Sequence, residues 1–221
     1  MSHAYPSHAY PSHAYPSHAY TPLQLVWDLF AGVGPFAVLA ARRGVTVLAN
    51  DLNPHACSAM LGNFERNGVL ERAHVYNLDA AEFVRSATAS AAGLPSGVGA
   101  MRWKPLAGSA AEHATIGRAA EIAETRVPDH ILLNLPADSL RFLPILSVLR
   151  DAARLPTSAT PGPLVHCYSF SKLACAEKQA SEAQERIAKG LGRAPSDLKI
   201  RPIRSVAPGK EMLCYEFPLH G

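Results

Sequence analysis

The sequence predicts an α/β fold: a doubly wound, mostly parallel sheet with an antiparallel hairpin at its C-terminal end. Three observations predict it. Short apolar runs alternate with stretches of helical spacing through the first part of the chain. Those runs are apolar almost without interruption, the mark of strands covered by helices on both faces. The last stretch, residues 199–219, reads as two strands in direct succession joined by a Pro-Gly turn at Pro208–Gly209.

Each element has its own justification. Val26–Phe30 is the first strand. A helix follows from Pro35, whose missing N–H costs nothing in a first turn, to Arg43. Gly44 stops it, and Arg42 and Arg43 put positive charge at its C-terminal end. Val45–Asn50 is the second strand, closing at Asp51; Asn53 caps a helix that runs from Pro54 to Asn67–Gly68. Ala73–Leu78 is the third strand and closes at Asp79. From Ser86 to Thr125 the pattern dissolves into Ala, Ser, Gly and Pro, so an irregular insertion is expected there, with a helix near Ala110–Glu124. The pattern resumes with "DHILLNLPAD", residues 129–138: a buried strand, Asn134 and Pro136 at its end, and then a helix to about Ala153. Residues 163–172 form another strand, and Ala174–Leu191 a long amphipathic helix with Gly192 beyond it.

Residues 2–20 stand apart, repeating SHAYP with a proline in each full unit. A period of five suits neither helix nor strand, so residues 1–22 are read as a low-complexity leader or tag. Its histidines are too loosely spaced to specify a metal site, and no metal is expected. Residues 23–221 are then one domain with a substantial core. The formal net charge of +3 permits a nucleic-acid partner without requiring one. Cys57, Cys167, Cys175 and Cys214 form no CxxC pair and read as buried thiols of a reducing compartment. No apolar run approaches the length of a membrane span, so no membrane partner is expected and the setting is read as intracellular.

Ligands of open α/β sheets bind beyond the carboxyl ends of the strands. Strand one ends with Asp28, Phe30, Gly32, Gly34 and Phe36; strand two with Asp51, Leu52 and Asn53. Strand three ends with Asp79 and Ala80, and the strand after the insertion with Asn134 and Pro136. Gly32–Ala37 fits G-x-G-x-x-G/A, and Asp51 stands where a ribose-binding acid is expected. Nicotinamide dinucleotides and S-adenosyl-L-methionine (SAM) share that pattern. Three details favour SAM. Asp28 precedes Phe30-Ala31 and the glycines, placed to meet an ammonium; Asp79 suits an adenine amine; and Asn-Leu-Pro-Ala can present amide and carbonyl groups to a flat base.

"DLFAGVGPFAVLAARRG", "VLANDLNPHA", "NLDAAEF", "DHILLNLPADSLRFL", "HCYSFSK" and "IRSVAPGKEMLCYEFPL" together resemble the catalytic domain of the tRNA (guanine-37-N1)-methyltransferases of eukaryotes and archaea, the Trm5/TYW2 family. The likeness runs from Val26 to Leu219, interrupted at 86–125. It implies a Rossmann-like class I methyltransferase fold, SAM as cofactor, the anticodon loop of tRNA as partner, and a monomer working in the cytoplasm, nucleus or mitochondrion. On that resemblance Phe30–Phe36 would hold the methionine part of SAM, Asp51 the ribose, and Asp79 with Ala80 the adenine. Asn134 and Pro136 would line the reaction centre. Each residue also has a plainer reading: Asp51 as a helix cap, Asp79 as a strand terminator, Asn134 and Pro136 as turn formers.

The resemblance also exposes a gap. Methylation at guanine N1 needs a base for the N1 proton and a donor for charge on O6. In the family a glutamate and an arginine upstream of this domain serve, whereas residues 1–27 contain no Asp, Glu, Lys or Arg. The expectation is a domain that binds SAM and methylates tRNA poorly or not at all alone. The alternatives are another SAM-dependent RNA-modifying enzyme, or a SAM-binding module that acts through a partner. Arg102 and Lys104 beside Trp103, Arg141 and Lys172 are candidate RNA contacts.

Overall fold

The computed structural model describes residues 24–93, 126–152, 162–172 and 175–220. Seven strands form one sheet: β1 (Leu25–Asp28), β2 (Thr46–Asn50), β3 (Ala73–Tyr76), β4 (His130–Leu133), β5 (Leu164–Ser171), β6 (Lys199–Ala207) and β7 (Lys210–Pro218). Their order is β3-β2-β1-β4-β5-β7-β6. The pairs among β1 to β5 are parallel, and β7 runs antiparallel to both β5 and β6. The hairpin therefore folds back, so that its second strand lies inside the sheet and its first forms the edge. Pro202 in β6 fits that position, since an edge strand has ladder positions where no N–H is needed.

The described helices are α1 (Pro35–Arg42), α2 (Pro54–Arg66), α3 (Ala80–Ala91), α4 (Leu146–Ala152) and α5 (Ala176–Leu191). Alternate residues of β1 explain how the layers form. Val26 faces a cluster with Ala37, Ala41, Met60 and Phe64 of α1 and α2. Leu25 and Trp27 face the opposite cluster, with Phe83 of α3, Leu149 of α4 and Ile187 of α5. The rings of Trp27 and Phe83 meet edge to face at 5.7 Å. Each large side chain so buried contributes roughly 1.5–3 kcal/mol.

The structure corrects several boundaries. β1 ends at Asp28, because Leu29 and Phe30 already lie in the turn, with the Leu29 N–H on the Leu132 carbonyl at 3.0 Å. β3 ends at Tyr76, and Asp79 begins α3. α3 continues past Ser86 to Ala91, burying Ala87 and Thr88. Residues 139–145 form a 3-10 helix carrying Pro144 before α4 starts. Cys57, Cys167 and Cys214 are buried, but Cys175 is exposed at the turn before α5. The leader, residues 94–125 and the expected contacts Arg102, Trp103 and Lys104 lie outside the described residues. Among the described residues no helix is long and apolar enough to cross a membrane.

A buried polar chain crosses from the parallel to the antiparallel side. Gln24 meets His130 at 3.3 Å, His130 meets His166 at 3.0 Å, and His166 meets Glu216 at 3.0 Å. The Arg201 guanidinium donates to the same Glu216 carboxylate. Ligand-type atoms of His166, Cys214 and Glu216 lie within 4.8 Å of one another. Both nitrogens of His166 are already engaged and Arg201 balances Glu216, so the group is an ion-paired hydrogen-bond chain rather than a cation site.

Candidate functional site

From β1 the chain moves outward to β2 and β3, then returns to place β4 on the other side of β1. That reversal opens a crevice at the carboxyl ends of the strands. A cavity of about 260 Å³ occupies it, lined by Leu29, Phe30, Asn50, Asp51, Leu52, Leu78, Asp79, Ala80, Asn134, Leu135 and Phe142.

The loop after β1 is shaped by its glycines. Gly32 and Gly34 have φ of 57° and 86°, a left-handed backbone that favours glycine. A Cβ on Gly34 would also lie 2.9 Å from Met60 Cγ, so the Met60 side chain of α2 would have to shift. Asp51 fastens this loop to β2. One carboxylate oxygen accepts the Gly32 N–H at 2.8 Å, and the other accepts the Asn53 N–H at 2.9 Å. Each oxygen keeps lone-pair capacity for a further donor.

Asp79 has two tasks. Its Oδ1 accepts the N–H groups of Ala81 and Glu82 at 2.9 and 3.4 Å, capping α3, while the residue itself lines the cavity. At β4, Ser139 holds the corner: Oγ donates to the Leu133 carbonyl and accepts the Leu135 N–H, both at 2.9 Å. The Pro136 carbonyl accepts the Phe170 N–H of β5 at 3.2 Å. Asn134 Oδ1 is buried with no hydrogen-bond partner among the described residues.

Asp28 is the most unusual group. It is 1 % exposed at the end of β1, and neither carboxylate oxygen has a hydrogen-bond partner of good geometry among the described residues. Burial pushes its pKa up to about 7; the Phe30 N–H offsets part of this, and the charge on Asp51 adds to it. An orphaned carboxylate beneath a glycine loop suits a cationic ligand group.

The predicted site residues thus divide. Phe30, Asp51, Leu52, Asp79, Ala80 and Asn134 line the cavity together. Asp28, Gly32 and Gly34 lie behind or within the loop. Three others are turned to packing. The Phe36 ring sits 5.4 Å from that of Tyr168, Asn53 caps α2 through the His55 N–H at 3.0 Å, and Pro136 serves β5 with its carbonyl. Of the candidate RNA contacts, Arg141 is ion-paired to Asp138 at 2.9 Å, and Lys172 is exposed after β5.

Asn50, Leu29, Leu78, Leu135 and Phe142 are lining residues that the sequence does not single out. Phe142 makes an edge contact with Phe30 at 4.8 Å and closes one wall. Its place in a helix after β4 carries no motif; only the neighbouring strand-end corner points to it.

Known proteins resemble this chain in sequence and in fold. Residues 18–96 match the family described as the TRM5/TYW2 methyltransferase domain. The tRNA (guanine(37)-N(1))-methyltransferase of Mus musculus is 34% identical to it over 198 residues, covering 90% of this chain and 34% of that protein. The chain thus spans about a third of the length of this curated relative. Two solved structures share the fold of the TRM5/TYW2 domain. Trm5b from Pyrococcus abyssi has a TM-score of 0.53 at 21% identity, covering 90% of this chain and 44% of that one. TYW2 from M. jannaschii, in complex with AdoMet, has a TM-score of 0.56 at 16% identity, covering 88% and 68%. The α/β, Rossmann-like architecture is therefore common to all three.

Proposed function

We propose that the cavity binds S-adenosyl-L-methionine and that the domain serves methyl transfer to N1 of guanine 37 in tRNA. The observation that carries this reading is the charge of the site. Asp51 and Asp79 line the cavity and Asp28 is buried at the end of β1, with no Lys or Arg lining the cavity among the described residues. A pyrophosphate would bring negative charge against three carboxylates, whereas ribose hydroxyls, an adenine amine and an ammonium are all donors or cations.

The residues fit such a ligand in turn. Asp51 keeps acceptor capacity for ribose hydroxyls while holding the glycine loop. Asp79 Oδ2, left over from the cap, accepts from an adenine amine against the apolar walls of Leu78 and Phe142. Asp28 gains the cationic partner it lacks. Asn134, fixed by the Ser139 corner, presents an acceptor toward the reaction centre beside Pro136. Bound SAM supplies an electrophilic methyl group on a sulfonium, so the protein's own task is alignment and desolvation. The name of the mouse relative, a tRNA (guanine(37)-N(1))-methyltransferase, supports tRNA as the acceptor.

The test is methyl transfer from labelled SAM to tRNA carrying guanine 37, with the same tRNA bearing adenine there as control. Incorporation that requires guanine 37 supports the reading. Incorporation that ignores position 37 would assign the domain a different acceptor.

A further inference from the structure

Two asparagines at the ends of β2 and β3 make a reciprocal clasp. Asn50, 1 % exposed, reaches across to the loop after β3. Its Nδ2 donates to the Leu78 carbonyl at 3.0 Å and the Leu29 carbonyl at 3.3 Å, and its Oδ1 accepts the Leu78 N–H at 3.1 Å. Asn77 reaches the other way, its Nδ2 donating to the carbonyls of Asp51 at 2.8 Å and Leu52 at 2.9 Å. The Cys57 thiol donates to the same Asp51 carbonyl at 3.4 Å. Each amide thus holds the backbone that carries the other strand's carboxylate: Asp51 directly, and Asp79 through Leu78.

A primary amide is the side chain suited to Asn50, because it supplies two N–H donors and an acceptor in one plane. Aspartate would set oxygens against two carbonyls, and alanine would leave the carbonyls of Leu29 and Leu78 short of a donor. We propose that Asn50 and Asn77 are positioning residues that set the span between Asp51 and Asp79, and so select a ligand by the distance from ribose hydroxyls to base. This rests on the reading that the cavity takes an S-adenosyl ligand. A site held to such tolerance discriminates by leaving a buried acceptor unpaired when the hydroxyl is missing or displaced.

The experiment is a double-mutant cycle on the full chain with S-adenosylhomocysteine, read by calorimetry. Asn77 is half-buried, so Asn77→Ala should leave the chain folded, with the melting temperature as control. Asn77→Ala is expected to weaken binding about 3–10-fold in the native background and less than about twofold in an Asp51→Asn background. The ratio of affinities for adenosine and 2′-deoxyadenosine should also fall in Asn77→Ala, a readout that simple loss of stability does not move. Asn50→Ala should act in the same direction more strongly. Equal losses in the two backgrounds, an unchanged ratio, or no loss at all would overturn the inference. Failure of the native chain to bind S-adenosylhomocysteine would instead overturn the underlying reading of the cavity.

Discussion

The two halves of the sheet treat buried charge in opposite ways. In the antiparallel half, Glu216 lies mid-strand and is saturated by His166 and Arg201, with His130 extending the chain. In the parallel half, Asp28 is equally buried but stands at a strand end with no such partners among the described residues, and Asn134 has an oxygen with no partner among them. The difference teaches where a ligand belongs. A fold that pairs its buried carboxylate in one place and leaves another unpaired has kept the second for something it does not itself contain.

The largest expected effect breaks the saturated side. Glu216→Ala strands His166 and the Arg201 guanidinium and should cost about 3–5 kcal/mol of stability in denaturant titration. SAM affinity of the folded fraction should be unchanged, because none of these side chains lines the cavity. Next comes Asp51→Ala, which removes a ligand acceptor together with the partners of the Gly32 and Asn53 N–H groups. It should weaken SAM binding by about 2–3 kcal/mol, or roughly 30–150-fold, measured by calorimetry.

Asp28 sharpens the comparison through pH. Its folded pKa of about 7 lies above the usual 3.8, so the folded chain binds a proton more tightly than the unfolded chain. Stability from this group is therefore greatest below pH 3.8 and declines as pH rises toward 7. Asp28→Asn should flatten that decline and stabilise the ligand-free chain at neutral pH by about 1–3 kcal/mol. The same substitution should weaken SAM binding, since the ammonium pairs with the ionised form. Opposite signs in melting and in affinity are the signature of a group held for a ligand. The smallest effect belongs to Asn53→Ala, which removes a helix cap and should cost about 1 kcal/mol of stability with little change in SAM affinity.

Much of the parallel half is legible in the sequence because its signals are local. Continuous apolar runs, Pro35 and Pro54 at helix starts, and glycines with positive φ declare strands, helices and turns within a few residues. The same locality makes Asp51 and Asp79 readable as site residues. What escapes is anything that works through backbone or through a distant neighbour. Asn50 reads only as the last residue of a strand, yet its amide grips carbonyls 21 and 28 residues away. Asn53 reads both as a ligand contact and as a helix cap, and its Oδ1 caps α2 through the His55 N–H. The end of α3 is hidden by composition: Ala87 and Thr88 pack because they are small, so no bulky periodicity marks the helix beyond Ser86. Phe36 lies in the motif, but the first turn of α1 aims it at Tyr168 of β5, a contact set by strand order.

The central claim is that the carboxylate-lined crevice of the parallel half takes an S-adenosyl ligand and rejects a pyrophosphate. Calorimetric titration of the chain with SAM and, separately, with NADH tests it most directly. One SAM site per chain is expected, weakened roughly 30–150-fold in Asp51→Ala, with no heat from NADH. Binding of NADH with affinity equal to or greater than that of SAM would contradict it.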